Sequence, residues 1–356
     1  MEITLGRPWR HFLLFVLACI VAAPARSSSI TIMPTYDTSI QNDANVSAIE
    51  GAIQTAINQF EHLITNNITV NIYFEETTFP SAVGLSDDGG IYNVNYGALY
   101  SQLTANNANT AAIAALAANP LANNTPIAIK APDGRALGFN TPGVCQLTTN
   151  GAAQYDLNEL CGGSTGTAYD GIIALNTSLT NPPVSGGYGL VSTVEHETDE
   201  ILGLGSALEN CNPGQPNQPP ACVASATLTV DNDTPSHAIS IEDLFRYSAP
   251  TGGTRTLSAV CSNTPTSAYF SYGASTGEIA QFNNACNGED FGDWLGNSPV
   301  RVQDAEGTPG TNPTLATPEI DALTAIGFDA NVPEPATWSL PAAAIALLII
   351  RRRLKA

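Results

Sequence analysis

The sequence predicts an α+β fold, with a twisted mixed sheet and its helices first and a smaller, irregular C-terminal lobe after them. Short runs of alternating apolar residues indicate strands. Longer segments with apolar residues every three or four positions indicate helices. Polar, cysteine-bearing stretches from residue 140 onward indicate loops. With 356 residues, 43% of them hydrophobic, the chain can bury a core as one large domain or two lobes.

The first elements predict strands covered by helices. Residues 28–34 and 68–74 alternate apolar and polar side chains and are predicted strands. Residues 44–65, between them, carry the apolar stripe of a helix. Residues 97–117 predict one alanine-rich helix, and residues 125–129 a short strand.

The second half of the chain predicts fewer elements. Residues 169–175 contain a continuous apolar run and predict a buried strand, and residues 189–204 predict a helix. Residues 140–168 and 209–236 are predicted loops. The last predicted element is a helix over residues 317–328, whose Thr-Pro start suits a helix N-terminus.

The charge of the chain argues against two classes of function. The formal net charge is −20, and residues 27–331 carry five of the 12 cations but 30 of the 32 acids. Binding to nucleic acid requires clustered Lys and Arg, and a basic face holds peripheral enzymes on anionic lipid. We therefore expect no nucleic-acid partner and no lipid-surface enzyme.

Residues 1–25 are predicted to be a secretory signal peptide. Arg7 and Arg10 precede an apolar run at residues 12–23, and residues 23–25 read Ala-Pro-Ala, a small-x-small cleavage site. A membrane anchor is an alternative, although the run is shorter than the ~20 residues that span a bilayer. Lipoprotein-type cleavage at Cys19 is another alternative.

Six cysteines remain after removal of such a peptide, and this even number suggests three disulfides in an exported chain. Of the 15 possible pairings of six cysteines, we favour the sequential one. Each bridge would then close one polar loop: Cys145–Cys161, Cys211–Cys222 and Cys261–Cys286. None has the CxxC spacing of a zinc ribbon, so no cysteine metal site is predicted.

The segment with the clearest chemistry is residues 190–208, LVSTVEHETDEILGLGSAL. His196 and Glu200 are four residues apart and therefore project from the same face of the predicted helix. HExxH helices chelate zinc with this spacing, and a carboxylate can replace the second imidazole as a ligand. Glu197 then occupies the position of the general base that activates water.

Four acids lie within six residues of this helix: Glu195, Glu197, Asp199 and Glu200. The macrodipole disfavours anions near a helix C-terminus, so these acids must face either water or a cation. We expect Glu195 and Asp199 to face solvent. We expect Glu197 and Glu200 to lie beside His196 near a cation.

The segment resembles the zinc helix of the metzincin metalloproteases, HExxHxxGxxH. His196, Glu197 and Gly203 fall on positions of that motif. Glu200 and Ser206 stand where the motif has its second and third histidines. A serine hydroxyl is a poor zinc ligand, so the resemblance leaves the third ligand open.

The order of the predicted elements resembles the same family. The metzincin upper lobe has a strand, a helix, a strand and an edge strand before the zinc helix, and residues 169–175 take the edge position here. The resemblance implies an upper lobe over residues 28–208, which contains the zinc helix. It implies a smaller, disulfide-tied lower lobe over residues 209–330, and residues 317–328 resemble the family's C-terminal helix.

Residues 243–248, DLFRYS, lie where a metzincin has its Met-turn. The resemblance places Phe245 at the Met position and Tyr247 at a tyrosine near the zinc. Tyr247 is therefore a candidate catalytic residue or ligand, with packing under the site as the alternative. A group of exported metalloproteases with a PEP-CTERM tail shares both an HExxE helix and a DLFRY segment, and the chain resembles this group.

The third metal ligand has several candidates. His237 lies in a polar loop, and Asp243 begins the DLFRY segment. Capping or pairing with Arg246 is the alternative role of Asp243. Glu209 follows the helix and is a further candidate, whereas His62 is expected to be an ordinary surface or half-buried histidine.

Residues 331–356 resemble a PEP-CTERM sorting signal. Residues 332–335 read Val-Pro-Glu-Pro, and an apolar segment at residues 338–350 precedes three arginines. The resemblance implies export, transient association with the bacterial inner membrane and recognition by an exosortase. The protein would then reside in the cell envelope, on the outer surface or in the extracellular matrix. An ordinary C-terminal tail anchor is the alternative.

Residues 86–90 are predicted to form an acidic, glycine-containing turn. Residues 87–90 of this turn and residues 289–293 are candidates for structural calcium, with solvated turns as the alternative. The leading hypothesis is an exported zinc-dependent endopeptidase that acts on a protein or peptide substrate. His196 and Glu200 would hold the zinc, and Glu197 would serve as the base. The alternative is a catalytically inactive, metzincin-shaped surface or matrix protein. The presence of Glu197 favours the enzyme, because a decayed site has no use for a base.

Overall fold

The computed structural model describes residues 29–79, 82–88, 90–106, 109–143, 168–208, 239–249, 253–257, 268–272, 279–285, 290–296 and 299–331. The predicted signal peptide, the sorting tail, the three disulfides, His237 and Glu209 lie outside these ranges. Within them, no helix combines the length and apolar character that crossing a bilayer requires.

The fold contains both α-helices and β-strands, as predicted. The strands in chain order are β1 (Thr31–Tyr36), β2 (Thr69–Glu76), β3 (Gly84–Asp88), β4 (Ile91–Asn95), β5 (Pro126–Lys130), β6 (Gly171–Leu175), β7 (Thr180–Asn181), β8 (Tyr188–Gly189), β9 (Ile239–Ser240), β10 (Arg246–Tyr247), β11 (Tyr269–Phe270) and β12 (Ala280–Gln281). The helices are α1 (Thr38–Gln41), α2 (Val46–Leu63), α3 (Tyr96–Asn106), α4 (Thr110–Ala118), α5 (Ala131–Ala136), α6 (Leu190–Leu202) and α7 (Thr317–Ile326), with a 3-10 helix at Glu242–Phe245.

The main sheet is mixed and has the strand order β1-β2-β6-β3. Strand β2 is parallel to β1 and to β6, whereas β3 is antiparallel to β6. Smaller sheets have the orders β4-β5-β9 and β10-β11-β12. The predicted strands at residues 28–34, 68–74, 125–129 and 169–175 are confirmed, because their alternating or continuous apolar residues fill the interior.

Helices α2 and α6 pack against each other, and α6 also lies against β3 and β6. This arrangement confirms the predicted helices at residues 44–65 and 189–204. Buried side chains from Ile30 to Phe328 form one hydrophobic cluster with members from both predicted lobes. The hydrophobic core therefore contacts α6 along its buried face.

The prediction of an acidic turn at residues 86–90 is wrong, because Gly84–Asp88 form the edge strand β3. The edge position assigned to residues 169–175 is also wrong: β6 lies between β2 and β3, and all five of its residues are buried. The polar side chains of β3 hide the apolar alternation by which a half-buried strand is recognised.

The prediction of one helix over residues 97–117 is wrong in its extent. The structure has two helices there, α3 and α4. The side chain of Asn109 accepts a hydrogen bond from the amide of Ala112 and caps α4. A side-chain cap of this kind begins a new helix, which a composition rich in alanine conceals.

Candidate metal centre

Helix α6 has two different faces. Leu190, Val194 and Ile201 are buried in the core. Other residues of the helix line a cavity of about 580 Å³: Ser192, Thr193, His196, Glu197 and Glu200. The apolar stripe therefore fixes the helix so that its HExxE residues reach the cavity.

The helix ends at Gly203, whose φ is 144°. Glycine is favoured in this region because it has no Cβ. A Cβ at this position would also lie 2.8 Å from Cδ1 of Ile326 on α7. The glycine that the motif shares with metzincins thus ends the helix and allows α7 to approach it.

The cavity has two walls besides α6. One wall is formed by residues 82–86, which include the start of the edge strand β3, and the other by residues 300–308. Asp290 and Asp293 complete the lining near the helix. Acidic side chains on the lining therefore face the HExxE residues.

His196, Glu200 and Asp293 each offer one ligand atom, and these atoms all lie within 4.8 Å of one another. Nε2 of His196 is 3.5 Å from Oε1 of Glu200 and 3.7 Å from Oδ1 of Asp293. In a tetrahedral zinc site with ligands at about 2.0–2.1 Å, two ligand atoms are about 3.3 Å apart. The separations in this group therefore suit a zinc ion after small inward movements.

Asp293 supplies a further test of whether these residues fit a metal. Its Oδ1 atom is buried and has no hydrogen-bond partner in the described part of the chain. A buried carboxylate oxygen without a partner is costly unless a cation compensates it. The orphaned oxygen faces the imidazole, as a ligand of a shared ion would.

Two of the three candidate ligands are oriented by other groups. Nδ1 of His196 lies 2.9 Å from the carbonyl oxygen of Val302. A carbonyl can only accept, so Nδ1 carries the proton in this contact and Nε2 is left for a metal. The hydroxyl of Ser86, on β3, donates to Oε2 of Glu200 and leaves Oε1 toward the imidazole. Outer contacts of this kind fix the tautomer and orientation of metal ligands.

Glu197 is buried and lines the same cavity. A Cβ at Gly84 would fall 2.5 Å from Oε1 of Glu197, so β3 approaches this carboxylate closely only because residue 84 has no side chain. The carboxylate of Glu197, the predicted general base, therefore lies against the edge strand β3.

Burial and neighbouring charges shift the pKa values of the four ionisable groups beside the cavity. Burial alone would lower the pKa of His196, but the carboxylates of Asp293 and Glu200 raise it well above its ordinary value. Burial would raise the pKa of Glu200, but the hydrogen bond from His196 and the charge of Lys130 contribute to lowering it to about 2. Burial raises the pKa of Glu197 and of Asp293 well above the ordinary range. A divalent cation bound beside these carboxylates would favour their deprotonated forms.

Lys130 connects the cavity wall to the end of α6. Its Nζ donates to the carbonyl oxygens of Glu200 at 2.7 Å and Leu204 at 2.9 Å, and lies 3.0 Å from Oδ2 of Asp88. A cation at this end of a helix offsets the macrodipole. Asp88, one of the calcium candidates, is thus paired with a lysine, and no second group of three metal donors occurs among the described residues.

The structure corrects the prediction that Asp243 is a metal ligand. Its carboxylate accepts hydrogen bonds from Ser206 Oγ at 2.7 Å, the Ala207 amide at 3.0 Å and the Ser240 amide at 3.0 Å. These bonds hold the turn after α6 and occupy the carboxylate. They also place Ser206 away from the donor group.

Tyr247, the second predicted catalytic residue, is buried in β10 and does not line the cavity. This position agrees with the alternative given above, packing under the site. Phe245 lies against the rings of Phe270 and Tyr272, with centroids 6.0 Å away in each case. His62 is exposed on α2, as expected.

The expectation that Glu195 and Asp199 face solvent is wrong, because both are fully buried. Burial raises the pKa of Glu195 to about 8 and that of Asp199 well above its ordinary value. Further segments cover α6 on this side, so the helix has no free solvent face there.

Asp293 is the candidate transition-metal ligand that the sequence analysis did not identify. It ends the acidic run at residues 289–293, which the sequence offers as a calcium candidate. The signal for a cation was therefore present. The proximity of Asp293 to His196 arises from tertiary contacts, which the spacing of residues along the chain does not reveal.

Comparison of the chain with protein-family models, with curated proteins and with solved structures finds no match in any of the three.

Proposed function

We propose that the chain is a zinc-dependent endopeptidase. His196, Glu200 and Asp293 are its metal ligands, and Glu197 is the general base. The observation that carries this proposal is the convergence of one imidazole nitrogen and two carboxylate oxygens within 4.8 Å. Three N and O ligands with a fourth position open to substrate or water are typical of catalytic zinc.

Zinc held by these residues would supply Lewis-acid polarisation of a peptide carbonyl and of water. Glu197 would take a proton from the attacking water and deliver it to the leaving amine. Its position supports this role, because Glu197 follows His196 directly and lines the same cavity as the three proposed ligands. Ser86 would keep Glu200 in place while the proton moves.

The edge strand β3 supports a protein or peptide substrate. In the described part of the chain, β3 pairs only with β6, and residues 82–86 line the cavity. An extended peptide can add to an open strand edge through main-chain hydrogen bonds. Bound in this way, it would present a carbonyl close to Glu197.

The finer assignment to a metzincin-like fold belongs to this proposal. It is supported by the order of strand, helix and strand before α6 and by the glycine that ends α6. Export by the signal peptide and processing by an exosortase are further proposals, which rest on the sequence alone. Secretion of the full chain compared with a chain that lacks residues 331–356 would test them.

A second candidate function is a non-enzymatic surface or matrix protein of the same shape. The observation that favours it is the position of His196 between two carboxylates, at 3.5 and 3.7 Å. A protonated imidazole in this position forms ion pairs without any metal. Metal binding therefore separates the two candidates.

The test is metal content and casein cleavage by the purified chain. We expect about one zinc per chain, cleavage that stops with chelator, and a loss of cleavage of about 10²- to 10⁴-fold in Glu197→Gln with zinc retained. Glu195→Gln is the matched control: it lies on the same helix outside the cavity, and burial raises the pKa of Glu195 to about 8, so that an amide resembles its protonated form. Failure to bind zinc at micromolar concentration would refute the peptidase and leave the second candidate.

A further inference from the structure

The DLFRY segment, which the proposed chemistry does not use, lies between the two elements that carry the candidate metal ligands. On one side it fastens the turn that follows α6. Oε2 of Glu242 accepts from the amide of Gly205 at 2.6 Å, and Asp243 accepts from Ser206 and Ala207. The segment therefore fixes the C-terminal end of the helix that carries His196 and Glu200.

On its other side the segment contacts residues 282–284 and 291 through Arg246, which is 1% exposed. Its Nη1 donates to the carbonyl oxygen of Phe291, and its Nη2 donates to Oδ1 of Asn284 at 2.5 Å. The guanidinium carbon lies 4.2 Å from the centroid of the Phe282 ring. One side chain thus contacts Phe282 and Asn284 and also Phe291, which lies two residues before Asp293.

A backbone hydrogen bond joins these contacts to the candidate ligand. The amide of Asn283 donates to the carbonyl oxygen of Asp293 at 2.7 Å, so residue 283, between two residues that Arg246 contacts, is bonded directly to residue 293. Nε of Arg246 is 3.9 Å from Oδ1 of Asp243, the residue that holds the turn after α6. A continuous set of contacts therefore links the end of the zinc helix to the third ligand.

We propose that Arg246 is a positioning residue of the metal centre, which holds Asp293 at ligand distance from His196 and Glu200. This inference rests on the proposed zinc site. A planar guanidinium can donate to two acceptors and stack on a ring at the same time, which the single ammonium of lysine cannot do. A buried ion pair adds little net stability compared with apolar packing, so a role in setting geometry explains its presence.

The test compares Arg246→Lys with Arg255→Lys in the full chain. Arg255 is a matched control, because its Nε also anchors this segment, at the Leu244 carbonyl oxygen at 2.7 Å, while its Nη1 contacts Asn119 rather than the stretch before Asp293. We expect Arg246→Lys to weaken zinc binding about 10- to 100-fold, as loss of outer partners of metal ligands does, and Arg255→Lys to leave it within about threefold.

A double-variant experiment tests whether Arg246 affects zinc binding through Asp293. In an Asp293→Asn background, Arg246→Lys should weaken zinc binding no further, and in the wild-type background it should alter the visible absorption of the cobalt-loaded protein. Asn284→Ala, which removes one acceptor, should have a smaller effect in the same direction, and it keeps the test available if Arg246→Lys does not fold.

Equal effects of the two arginine variants, or additive effects of Arg246→Lys and Asp293→Asn, would overturn the positioning role and leave the zinc site standing. A wild-type chain that binds no zinc would overturn both proposals. Circular dichroism of each variant shows whether it is folded, so that zinc affinities are compared only between folded proteins.

Discussion

The exchange of Asp293 for Asn separates a metal centre from a group of ion pairs. The substitution keeps the shape of the side chain and removes its charge, so the buried oxygen that has no hydrogen-bond partner in the described residues becomes that of a neutral amide, a weaker metal ligand than a carboxylate. If Asp293 is one of three zinc ligands, its loss should weaken zinc binding by more than the roughly 10- to 100-fold that follows loss of an outer partner. We therefore expect a decrease of at least about 100-fold.

The expected change in stability follows from linkage. At a free zinc concentration about 100 times the dissociation constant, zinc stabilises the wild-type chain by about 2.7 kcal/mol. With binding 100-fold weaker, the same zinc concentration equals the dissociation constant of the variant and stabilises it by only about 0.4 kcal/mol. At about 2.1 cal/mol/K per residue, a folded domain of roughly 300 residues has an unfolding entropy of about 0.6 kcal/mol/K, so each kcal/mol shifts the melting temperature by about 1.5 °C. The zinc-dependent rise in melting temperature should therefore fall from roughly 4 °C to below about 1 °C.

Thermal unfolding with zinc and with chelator measures this difference. Asp290→Asn is the matched control, because Asp290 lines the same cavity and loses the same charge, yet it lies outside the group of three donors. It should keep most of the zinc-dependent rise. The reasoning is refuted if Asp293→Asn keeps the full zinc-dependent rise in melting temperature. It is also refuted if Asp290→Asn loses as much of this rise as Asp293→Asn does, since zinc binding would then depend on the negative charge of the cavity and not on ligation by Asp293.

Three further predictions concern the surroundings of the site and the main sheet. Ser86→Ala removes the hydroxyl that orients Glu200 and should weaken zinc binding about 10-fold in competition with a chelator; an unchanged affinity would show that the carboxylate needs no such support. Gly203→Ala places a Cβ at a φ of 144° and against Ile326, so the free energy of unfolding in urea should fall by about 2 kcal/mol or more, and a neutral effect would contradict this. Burial raises the pKa of Glu75 from 4.5 to about 7, so the folded chain keeps a proton that the unfolded chain releases in this window, and stability declines as the pH rises through it. Glu75→Gln should therefore stabilise the protein by about 2 kcal/mol at pH 8 and have little effect near pH 4.5. A gain that is the same at both pH values would contradict a titration of Glu75, and so would an equal gain in the control Glu50→Gln on helix α2.

The sequence predicts well those elements whose buried side chains give a regular apolar pattern along the chain. Helix α2 buries one apolar stripe, and β6 is apolar throughout. The sequence does not predict the edge strand β3 or the short helix α5, because neither has a regular apolar pattern. Polar side chains occupy β3, and a single Pro-Asp turn begins α5. Local periodicity carries no information about such elements, whose place is decided by pairing with a distant strand.

The candidate site divides in the same way. Spacing on one helix is a local property, and it identifies His196, Glu197 and Glu200 from the sequence. The third donor comes from a stretch brought in by tertiary contacts at Arg246, so no spacing predicts it. Asp243 and Tyr247 were plausible only because a family resemblance placed them near the metal, and their side chains are occupied in a turn and in packing.

The distribution of cations bears on the charge of the candidate site. The five cations of residues 27–331 all lie in the described part of the chain, and four of them donate to backbone carbonyl oxygens: Lys130, Arg135, Arg246 and Arg255. The fifth, Arg301, lines the cavity but forms no ion pair with any described residue. Lys130 lies at the end of α6 and is paired with Asp88 and with carbonyl oxygens, not with the three candidate ligands themselves. A divalent ion bound by His196, Glu200 and Asp293 would therefore offset charge that no ion pair with a lysine or an arginine offsets among the described residues.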